Sequence, residues 1–252
     1  MRQAGHSGSA RGQVILVNDG SPDPRMEPAL EQLYRRYPDL ILLHNESNIG
    51  FVGSVNRALE LRQNDVVLLN NDTRVTPGWL AEMIEVAYLH DRIACVCPLS
   101  NNASICSVPD FWGRTGAEEL DDRALELDGL PRYTIVPTGV GFCLLIRQTV
   151  LNMIGGLDPA YGRGYNEEND WSMRARALGF VAARANRAFV YHVGEVSFGS
   201  DRSHLDAVNA RLLSRRYPHF EPEVAHFCAG AESRVARHIE RGRLIAKMHG
   251  RH

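Results

Sequence analysis

The sequence of 252 residues has no excess of positive charge, a single lysine and no long apolar run. Its formal net charge of −2 argues against a general nucleic-acid binder, which usually carries a strong basic excess. The longest apolar run, Val140–Ile146, suits a buried strand and is far shorter than the ~20 residues of a membrane span. The single lysine, Lys247, reflects genome composition rather than mechanism.

Cysteine is also scarce, and the amino-terminal end has no apolar segment of the kind found in secretory signals. The five cysteines are an odd number and do not form a disulfide framework. Cys95 and Cys97 lie two residues apart in a strand-like run; core packing is the favoured interpretation and a metal site the alternative. The start "MRQAGHSGSARG" is polar, which excludes a secretory signal peptide. These features predict a cytoplasmic protein.

Apolar strands alternate with amphipathic helices in the first part of the chain. This alternation predicts an α/β fold with a mostly parallel central sheet covered by helices. Thr76 followed by Pro77 predicts a helix start, with a hydroxyl cap and then proline at the first helical position. The predicted strands are Val14–Val17, Leu40–Leu43, Val66–Leu69 and Ile93–Val96, and the predicted helices are Glu27–Tyr37, Phe51–Arg62 and a third that runs to about His90.

The pattern loosens between Pro98 and Tyr133 and becomes regular again after this stretch. After Ser200 the chain is charged and helical in pattern. Its last part, Arg234–Arg251, is basic and amphipathic; a solvated helix is the favoured interpretation, and contact with a membrane surface is the alternative. The other predicted elements are an acidic helix near Ala117–Leu127, a strand at Val136–Ile146, a helix at Asn166–Leu178, and short strands at Val181–Arg184 and Ala188–Tyr191.

Three polar clusters fall at or near the ends of predicted strands. Asn18–Ser21 follows the first strand, Asn70–Asp72 follows the third, and Asn48–Gly50 opens the second helix. In parallel α/β sheets, ligands bind at the carboxyl ends of the strands. Turns also favour Asn, Asp, Gly and Ser, so each cluster alone is a weak signal. Their recurrence at strand ends is what favours a binding function.

Three side chains in or beyond these clusters have chemistry suited to a nucleotide or a metal ion. Asp19 is suited to accept the imide N–H of a uracil or thymine ring. Asp72 offers a hard oxygen for Mg²⁺ or Mn²⁺ bridging a diphosphate. His192, at the end of a predicted strand, is a candidate nitrogen ligand, although a lone histidine in such a place is more often structural.

The stretch "GYNEENDW", residues 164–171, places three carboxylates at a predicted helix start. Asn166 is a candidate helix cap, and the helix dipole favours acidic residues in the first turn. Asp170 is predicted to pair with Arg174 four residues later. This helix-start explanation covers Glu167 and Glu168 equally well, so it does not identify a catalytic base. An inward stripe is predicted at Trp171, Ala175 and Leu178.

Together these pieces resemble the family-2 inverting glycosyltransferases of the GT-A fold, over about residues 13–200. "VNDGSPD" resembles the family's nucleotide-binding turn, and "NIGFVGSVNRAL" its Asn-x-Gly-Phe helix start. "VVLLNNDTRVTPGWL" resembles the strand that carries the Asp-x-Asp-type metal motif. The segment ending in "GYNEENDW" resembles the acceptor side with its acidic base motif, and "FVYHVGEVSFG" the segment with a metal-ligand histidine. Details of the last two segments resemble bacterial rhamnosyltransferase-type enzymes of surface-polysaccharide assembly.

The resemblance implies a role for each matching residue. Glu168 would be the base, and Asp72 and His192 would hold the Mn²⁺ or Mg²⁺. On the acceptor side, Trp171 and Glu167 would contact the acceptor sugar. For Trp171, a position in the core is the alternative. Nucleotide-sugar binding would fall to Asp19, Asn48, Gly50, Asn70 and Asn71. Asn70 stands where the family has the first aspartate of its metal motif, so one charge near the ribose is lost.

The implied reaction is a single in-line displacement that moves a sugar from a UDP- or dTDP-sugar to a glycan or lipid-linked acceptor, in cell-surface polysaccharide synthesis. No nucleic-acid partner is expected, and peripheral contact with the inner membrane is an alternative to a purely cytoplasmic location. A non-catalytic sugar-nucleotide or glycan-binding module is the main competing function. A nucleotidyltransferase is disfavoured, because no phosphate-cradling loop rich in Gly, Arg or Lys follows the first strand.

The implied organisation is an irregular segment at 1–12, a nucleotide-binding half at 13–97, an acceptor and catalytic half at 98–200, and a helical tail at 201–252. The sequence departs from the family pattern before Val14–Val17, where an apolar strand and a helix are expected. Without that strand the sheet would have unpaired backbone groups and an open apolar flank. We therefore expect one of three arrangements: the chain is a truncated piece, another segment or a partner such as a second copy of the chain fills the gap, or the sheet is rearranged.

Overall fold

The computed structural model describes residues 12–107, 131–193 and 202–232. The acidic helix expected near Ala117–Leu127, the "VSFG" segment and the basic helix at Arg234–Arg251 lie outside the described residues, as do residues 1–11 of the predicted irregular start.

Eight strands and seven helices make up the described part of the chain. The strands are β1 (Ile15–Asn18), β2 (Ile41–His44), β3 (Val66–Leu69), β4 (Thr73–Val75), β5 (Ile93–Leu99), β6 (Tyr133–Val136), β7 (Cys143–Ile146) and β8 (Val181–His192). The helices are α1 (Met26–Arg36), α2 (Gly50–Leu59), α3 (Trp79–Ala87), α4 (Gln148–Ile154), α5 (Glu167–Ala177), α6 (Arg202–Arg216) and α7 (Phe220–Phe227). Short helical turns occur at Ser104–Cys106, Pro159–Tyr161 and Cys228–Glu232.

The strands form two sheets. β1 and β2 pair in parallel as one sheet. The other has the order β3-β7-β5-β8-β4, and β6 also pairs with β8. Within the described residues, β1 pairs only with β2 and β3 only with β7, so each keeps one edge without a strand partner.

The α/β fold is confirmed, but the expectation of a mostly parallel sheet is wrong. In the larger sheet only β5 and β8 run parallel among the described pairs. The physical reason is β7, which lies between β3 and β5 and runs antiparallel to both. β4 and β6 also pair antiparallel with β8. The sheet is therefore mixed.

The core lies around β5, β7 and β8, whose side chains are almost all buried. Cys95 and Cys97 are both buried in β5 and belong to this core. α3 covers the sheet with Met83, Val86 and Ala87. Apolar burial at this density supplies most of the stabilisation of an α/β domain. No described helix has the length and apolar character needed to cross a membrane.

Three predictions of local structure are wrong. The hydroxyl of Thr76 does not cap a helix; it donates a hydrogen bond to the carbonyl of Phe189 at 2.8 Å, and α3 begins later, after Gly78 in a left-handed conformation. The expected strand Val136–Ile146 is divided into β6 and β7, because residues 137–142 turn the chain. The two short strands predicted at Val181–Arg184 and Ala188–Tyr191 are one strand, β8.

β8 is continuous although it contains a buried polar residue, Asn186, whose side-chain amide is hydrogen-bonded. Its register with β5 shifts between Pro98 and Leu99, where the partner residue moves from Ala185 to Phe189. The amide of Asn186, which lies in this irregular part, donates to the hydroxyl of Thr134 and to a backbone carbonyl, both at 2.8 Å. A buried polar group is tolerated when it is hydrogen-bonded in this way.

Candidate active site

Asp72 and His192 form a carboxylate–imidazole pair at one end of the larger sheet. Asp72 follows β3 and leads directly into β4, and β4 pairs with β8 so that Thr73 lies opposite His192. Nε2 of His192 is 3.4 Å from Oδ2 of Asp72, and the two side chains are 17% and 12% exposed. The backbone N–H of Val193 also donates to the carbonyl of Asp72 at 2.9 Å. The antiparallel pairing of β4 and β8 therefore brings the two side chains together.

The hydrogen bond of the imidazole determines whether Nε2, the nitrogen that faces Asp72, carries a proton or a lone pair. Nδ1 of His192 is 2.6 Å from the backbone carbonyl of Asn102. A carbonyl oxygen only accepts hydrogen bonds, so Nδ1 carries the proton. In the neutral ring Nε2 is then the acceptor, which is the tautomer that a metal-binding histidine needs.

The residues present fit a divalent cation. Oδ1 of Asp72 is buried and has no hydrogen-bond partner within the described residues. One carboxylate oxygen and one imidazole nitrogen form a donor set that Mn²⁺ accepts readily and Mg²⁺ less so. In the part of the chain that the structure describes, no group of three or more His, Cys, Asp or Glu residues surrounds such a site.

Asn101 and Asn102, which were not among the sequence-predicted site residues, hold His192 in place. The side-chain amide of Asn101 donates to the carbonyl of His192 at 3.1 Å and accepts from its N–H at 2.8 Å. Asn102 supplies the carbonyl that binds Nδ1. Both follow β5 directly, so they carry the same strand-end signal that identified the other polar clusters.

Asp19 directly follows β1, and its carboxylate contacts the start of α2, where it accepts hydrogen bonds from three donors. Oδ1 accepts from the side chain of Asn45 and the N–H of Ile49, both at 2.8 Å, and Oδ2 accepts from the N–H of Gly50 at 2.9 Å. Oδ2 thus has one donor and keeps acceptor capacity for a ligand. Asn48, the preceding residue of this turn, is exposed.

Gly50 occupies a position that requires glycine. Its φ angle is +80°, and a Cβ added there would lie 2.7 Å from Cα of Arg163. The N–H of Phe51 donates to the carbonyl of Arg163 at 3.3 Å, so α2 is joined here to the segment that precedes α5. The Asn-x-Gly motif therefore allows a close backbone approach.

Asn70 and Asn71 directly precede Asp72, the candidate metal ligand. The N–H of Asn70 donates to the carbonyl of Phe142 at 2.8 Å, and its carbonyl accepts from the hydroxyl of Thr73 at 2.7 Å. Asn71 is exposed. Their backbone is fixed by the sheet, and the side chain of Asn71 is available to a ligand.

The helix α5 carries the acidic motif, but its start differs from the prediction. Tyr165 and Asn166 both have positive φ angles, 73° and 71°. The Asn166 side chain makes no cap hydrogen bond; it accepts from Asn169 at 2.9 Å and donates to Asp206 at 3.2 Å. The predicted side-chain cap is therefore wrong, because α6 and the next turn of α5 compete for that amide.

Glu168 is half-buried and lies against the glycine turn between β6 and β7. A Cβ added at Gly141 would be 3.5 Å from its carboxyl carbon. Burial raises the pKa of Glu168, and the N–H groups of Glu168, Gly141 and Asn169 partly offset this effect. A carboxylate with a raised pKa is a stronger base near neutral pH.

One short loop joins Glu168 to the Asp72–His192 pair. The residue after Gly141, Phe142, places its ring 5.0 Å from the ring of His192, and its carbonyl accepts from the N–H of Asn70. Glu168, the Gly141–Phe142 segment, His192 and Asp72 therefore form one continuous set of contacts. Glu168 and the Asp72–His192 pair lie on the two sides of this loop.

Glu167 points into the protein rather than toward solvent. It is 5% exposed, and its Oε2 has no hydrogen-bond partner among the described residues. Burial raises the pKa of Glu167 to about 8, and the neighbouring charge of Glu168 adds to this rise. The two adjacent glutamates thus have different surroundings, which the helix-start pattern did not reveal.

Trp171 belongs to the core. Its side chain is 0% exposed, and its Nε1 donates to the carbonyl of Gly155 at 3.0 Å. No face of the ring is open to a sugar, so the geometry favours the core alternative over acceptor contact. The structural requirement for Trp at this position is the hydrogen bond to the turn after α4.

Asp170 connects α5 to the C-terminal helices. The predicted pair with Arg174 is confirmed, with Nε 2.9 Å from Oδ2. Oδ1 accepts from Nη1 of Arg216 at 2.8 Å and lies 3.4 and 3.3 Å from the hydroxyls of Tyr161 and Tyr217. This carboxylate is fully buried and is satisfied from both sides.

Comparisons with known proteins agree with this geometry. A family model described as glycosyl transferase family 2 matches residues 9–155. An uncharacterised protein of Mycobacterium tuberculosis is 28% identical over 185 residues, covering 69% of this chain and 67% of that protein. An N-acetylglucosaminyl-diphospho-decaprenol L-rhamnosyltransferase of the same species is 26% identical over 226 residues, covering 77% of this chain and 71% of that protein.

Two solved structures share the fold. GalNAc-T7, in complex with UDP, GalNAc and Mn²⁺, has a TM-score of 0.63 at 15% identity, covering 91% of this chain and 48% of that chain. The mannosyltransferase PcManGT from Pyrobaculum calidifontis, in complex with GDP-Man and Mn²⁺, has a TM-score of 0.61 at 15% identity, covering 94% of this chain and 66% of that chain. This chain therefore spans about half of the GalNAc-T7 chain. Both likenesses show an α/β fold of the GT-A type.

Proposed function

The chain belongs to glycosyl transferase family 2, and from this premise we propose that it transfers a sugar from UDP or dTDP, with inversion, to a sugar on a lipid diphosphate in cell-surface polysaccharide synthesis. The acceptor class is suggested by the name of the rhamnosyltransferase relative. The metal-dependent use of a nucleotide sugar is suggested by the contents of the two similar structures.

One observation supports the proposal most directly: Glu168 and the Asp72–His192 pair lie on the two sides of the same loop, Gly141–Phe142. Inverting transfer needs a base at the acceptor hydroxyl and a positive group at the leaving diphosphate. The contacts around this loop bring Glu168 close to the Asp72–His192 pair, the residues that we propose for these two roles. Asp19 and the Asn-x-Gly turn lie at the start of α2, where the nucleotide base would bind.

In the proposed reaction, Glu168 accepts the proton of the acceptor hydroxyl as that oxygen attacks the anomeric carbon. The bond from this carbon to the diphosphate breaks on the opposite face, so the configuration inverts. Asp72 and His192 would hold a divalent cation, which would neutralise the charge that develops on the leaving diphosphate. Asp19 fixes the nucleotide base, and Asn70 and Asn71 face the ribose and diphosphate.

The test is a comparison of Glu168→Gln with Glu167→Gln. We expect Glu168→Gln to lower the transfer rate by about 10²- to 10⁴-fold, because general-base catalysis is lost. Its affinity for UDP with Mn²⁺, measured by calorimetry, should be unchanged. Glu167→Gln should retain most of the transfer activity, since that carboxyl faces the interior.

The reverse result, loss of transfer in Glu167→Gln with an active Glu168→Gln, would move the base to Glu167. If neither UDP nor dTDP binds in the presence of Mn²⁺ or Mg²⁺, the proposed donor class is wrong. If one of them binds, transfer measured with UDP- and dTDP-sugars on a sugar carried by a short-chain lipid diphosphate identifies the donor nucleotide.

A further inference from the structure

A cavity of about 100 Å³ lies beside the proposed base. It is lined by Glu168 and Asn169 at the start of α5 and by Thr138, Gly139 and Val140 of the turn between β6 and β7. Ser104, Ile105 and two residues of α7, Phe220 and Val224, complete the lining. α7 is outside the part of the chain that the family model matches, which ends at residue 155. The part of the lining that α7 supplies therefore lies beyond the matched family region.

The lining of the cavity combines apolar and polar side chains. Ile105 and Phe220 are buried core residues, and Val224 packs against the same core. Among the polar lining residues, the amide of Asn169 is held in one orientation: its oxygen accepts from the hydroxyl of Thr138 and its nitrogen donates to Asn166, both at 2.9 Å. The amide nitrogen has two N–H groups, and no second acceptor for it occurs among the described residues.

The size of the cavity limits what it holds. Pockets for whole drug-sized ligands measure about 300 to 1,000 Å³, so a cavity of about 100 Å³ suits one substituent of a larger ligand. The substituent must have an apolar end for the wall of Ile105, Phe220 and Val224 and an acceptor for the N–H of Asn169. An acetamido group has both, since its methyl is apolar and its carbonyl accepts a hydrogen bond.

We propose that this cavity is an acceptor subsite that binds the acetamido substituent of the acceptor sugar, beside the hydroxyl that Glu168 deprotonates. The proposal rests on the glycosyl transfer proposed above and adds the group by which the acceptor is selected. The methyl packs against Phe220 and Val224, and the carbonyl accepts from Asn169. The C-terminal helix α7 is then a determinant of acceptor specificity.

The first measurement compares two synthetic acceptors on the same short-chain lipid diphosphate, one carrying N-acetylglucosamine and the other glucose. We expect the wild-type chain to prefer the acetamido acceptor by about 10- to 100-fold in kcat/KM, the range typical of a lost pocket contact. Equal kcat/KM for both acceptors would overturn the subsite while leaving the proposed transfer intact.

The second measurement fills the cavity. Val224→Phe should remove the preference for the acetamido acceptor by occupying the space of the methyl, and affinity for UDP with Mn²⁺ should not change. The matched control is Ala225→Phe, which places the same side chain on the exposed face of α7 and should keep the preference. Val224→Leu, a smaller change, serves if Val224→Phe lowers the melting temperature. A preference that survives in both Val224 variants would overturn the proposal.

Binding decides the question if no transfer is detected. Calorimetric titration of the two acceptors into the wild-type chain saturated with UDP and Mn²⁺ should show the same preference. Tighter binding of the acetamido acceptor without transfer would refute the proposed activity and support the subsite. Equal affinities would refute the subsite whatever the outcome for transfer.

Discussion

The buried carboxyl of Glu167 predicts a specific dependence of stability on pH. Its pKa in the folded chain is about 8, against its usual 4.5, mainly because it is removed from water. The folded state therefore holds this proton more tightly than the unfolded state. Below pH 4.5 both states are protonated, and the carboxyl does not penalise folding. As the pH rises from 4.5 to 8 the unfolded chain ionises first, so stability is lost over this interval.

The substitution Glu167→Gln removes this titration, since the amide is an uncharged group of nearly the same shape as the protonated carboxyl. The interval from about 4.5 to about 8, at about 1.36 kcal/mol per pH unit, gives an upper bound of ~5 kcal/mol for the stability gained at high pH. We expect the variant to match the wild-type chain at pH 4.5 and to become progressively more stable up to about pH 8.

The assay is equilibrium unfolding in urea at intervals from pH 4.5 to pH 9, with the m-value checked at each pH. Glu223→Gln on α7 is the control of opposite sign, because the hydrogen bond from Arg176 lowers the pKa of Glu223. Its stability contribution is present above pH 4.5 and is lost as the pH falls; for this half-exposed pair it should not exceed ~1 kcal/mol. A difference between Glu167→Gln and wild type that is the same at pH 5 and pH 9 would refute the assignment of Glu167 as a buried, protonated carboxyl.

Two further predictions concern the residues that hold the site together. Asn101→Ala removes the side-chain amide that hydrogen-bonds to the backbone N–H and carbonyl of His192. We expect calorimetry to show that Mn²⁺ binds about tenfold more weakly in the presence of UDP, while UDP affinity without metal is unchanged. An unaltered Mn²⁺ affinity would contradict the positioning role of Asn101. Asp170→Asn removes the buried carboxylate that pairs with Arg174 and Arg216. We expect the free energy of unfolding to fall by ~3 kcal/mol. This is less than the full cost of breaking a buried pair, because both arginines are partly exposed. Asp158→Asn, which removes a more exposed partner of the same Arg216, should cost less than ~1 kcal/mol, and equal losses in the two variants would show that the burial of Asp170 does not matter.

Local patterns in the sequence predict the elements whose periodicity is unbroken. The strand at Val66–Leu69 has the predicted bounds, and the predicted helix Glu27–Tyr37 differs from α1 by one residue at each end. The division of Val136–Ile146 was missed although Gly139 and Gly141 lie in the turn between β6 and β7. Its apolar residues continue through the turn, so hydrophobicity alone does not mark the reversal.

The candidate site shows the same limit. Asp72 and His192 are recognisable because each lies at the end of a strand, but only the antiparallel pairing of β4 with β8 brings them to 3.4 Å. Glu167 and Glu168 are indistinguishable at a helix start, where the dipole favours both. Their difference comes from tertiary burial, which places one carboxyl against the interior and the other against the turn at Gly141.

The contacts of Asp170 have a consequence for chimeric enzymes. Arg216 and Tyr217 reach this carboxylate from the end of α6, and the amide of Asn209, also on α6, donates to the carbonyls of Tyr161 and Gly164 in the segment before α5. Exchanging the C-terminal helices between homologues to alter acceptor choice would therefore exchange half of a buried ionic network. Such grafts should function only when the donor sequence carries an arginine that can reach Asp170, so the compatibility of parental sequences can be screened at this one pair before any chimera is made.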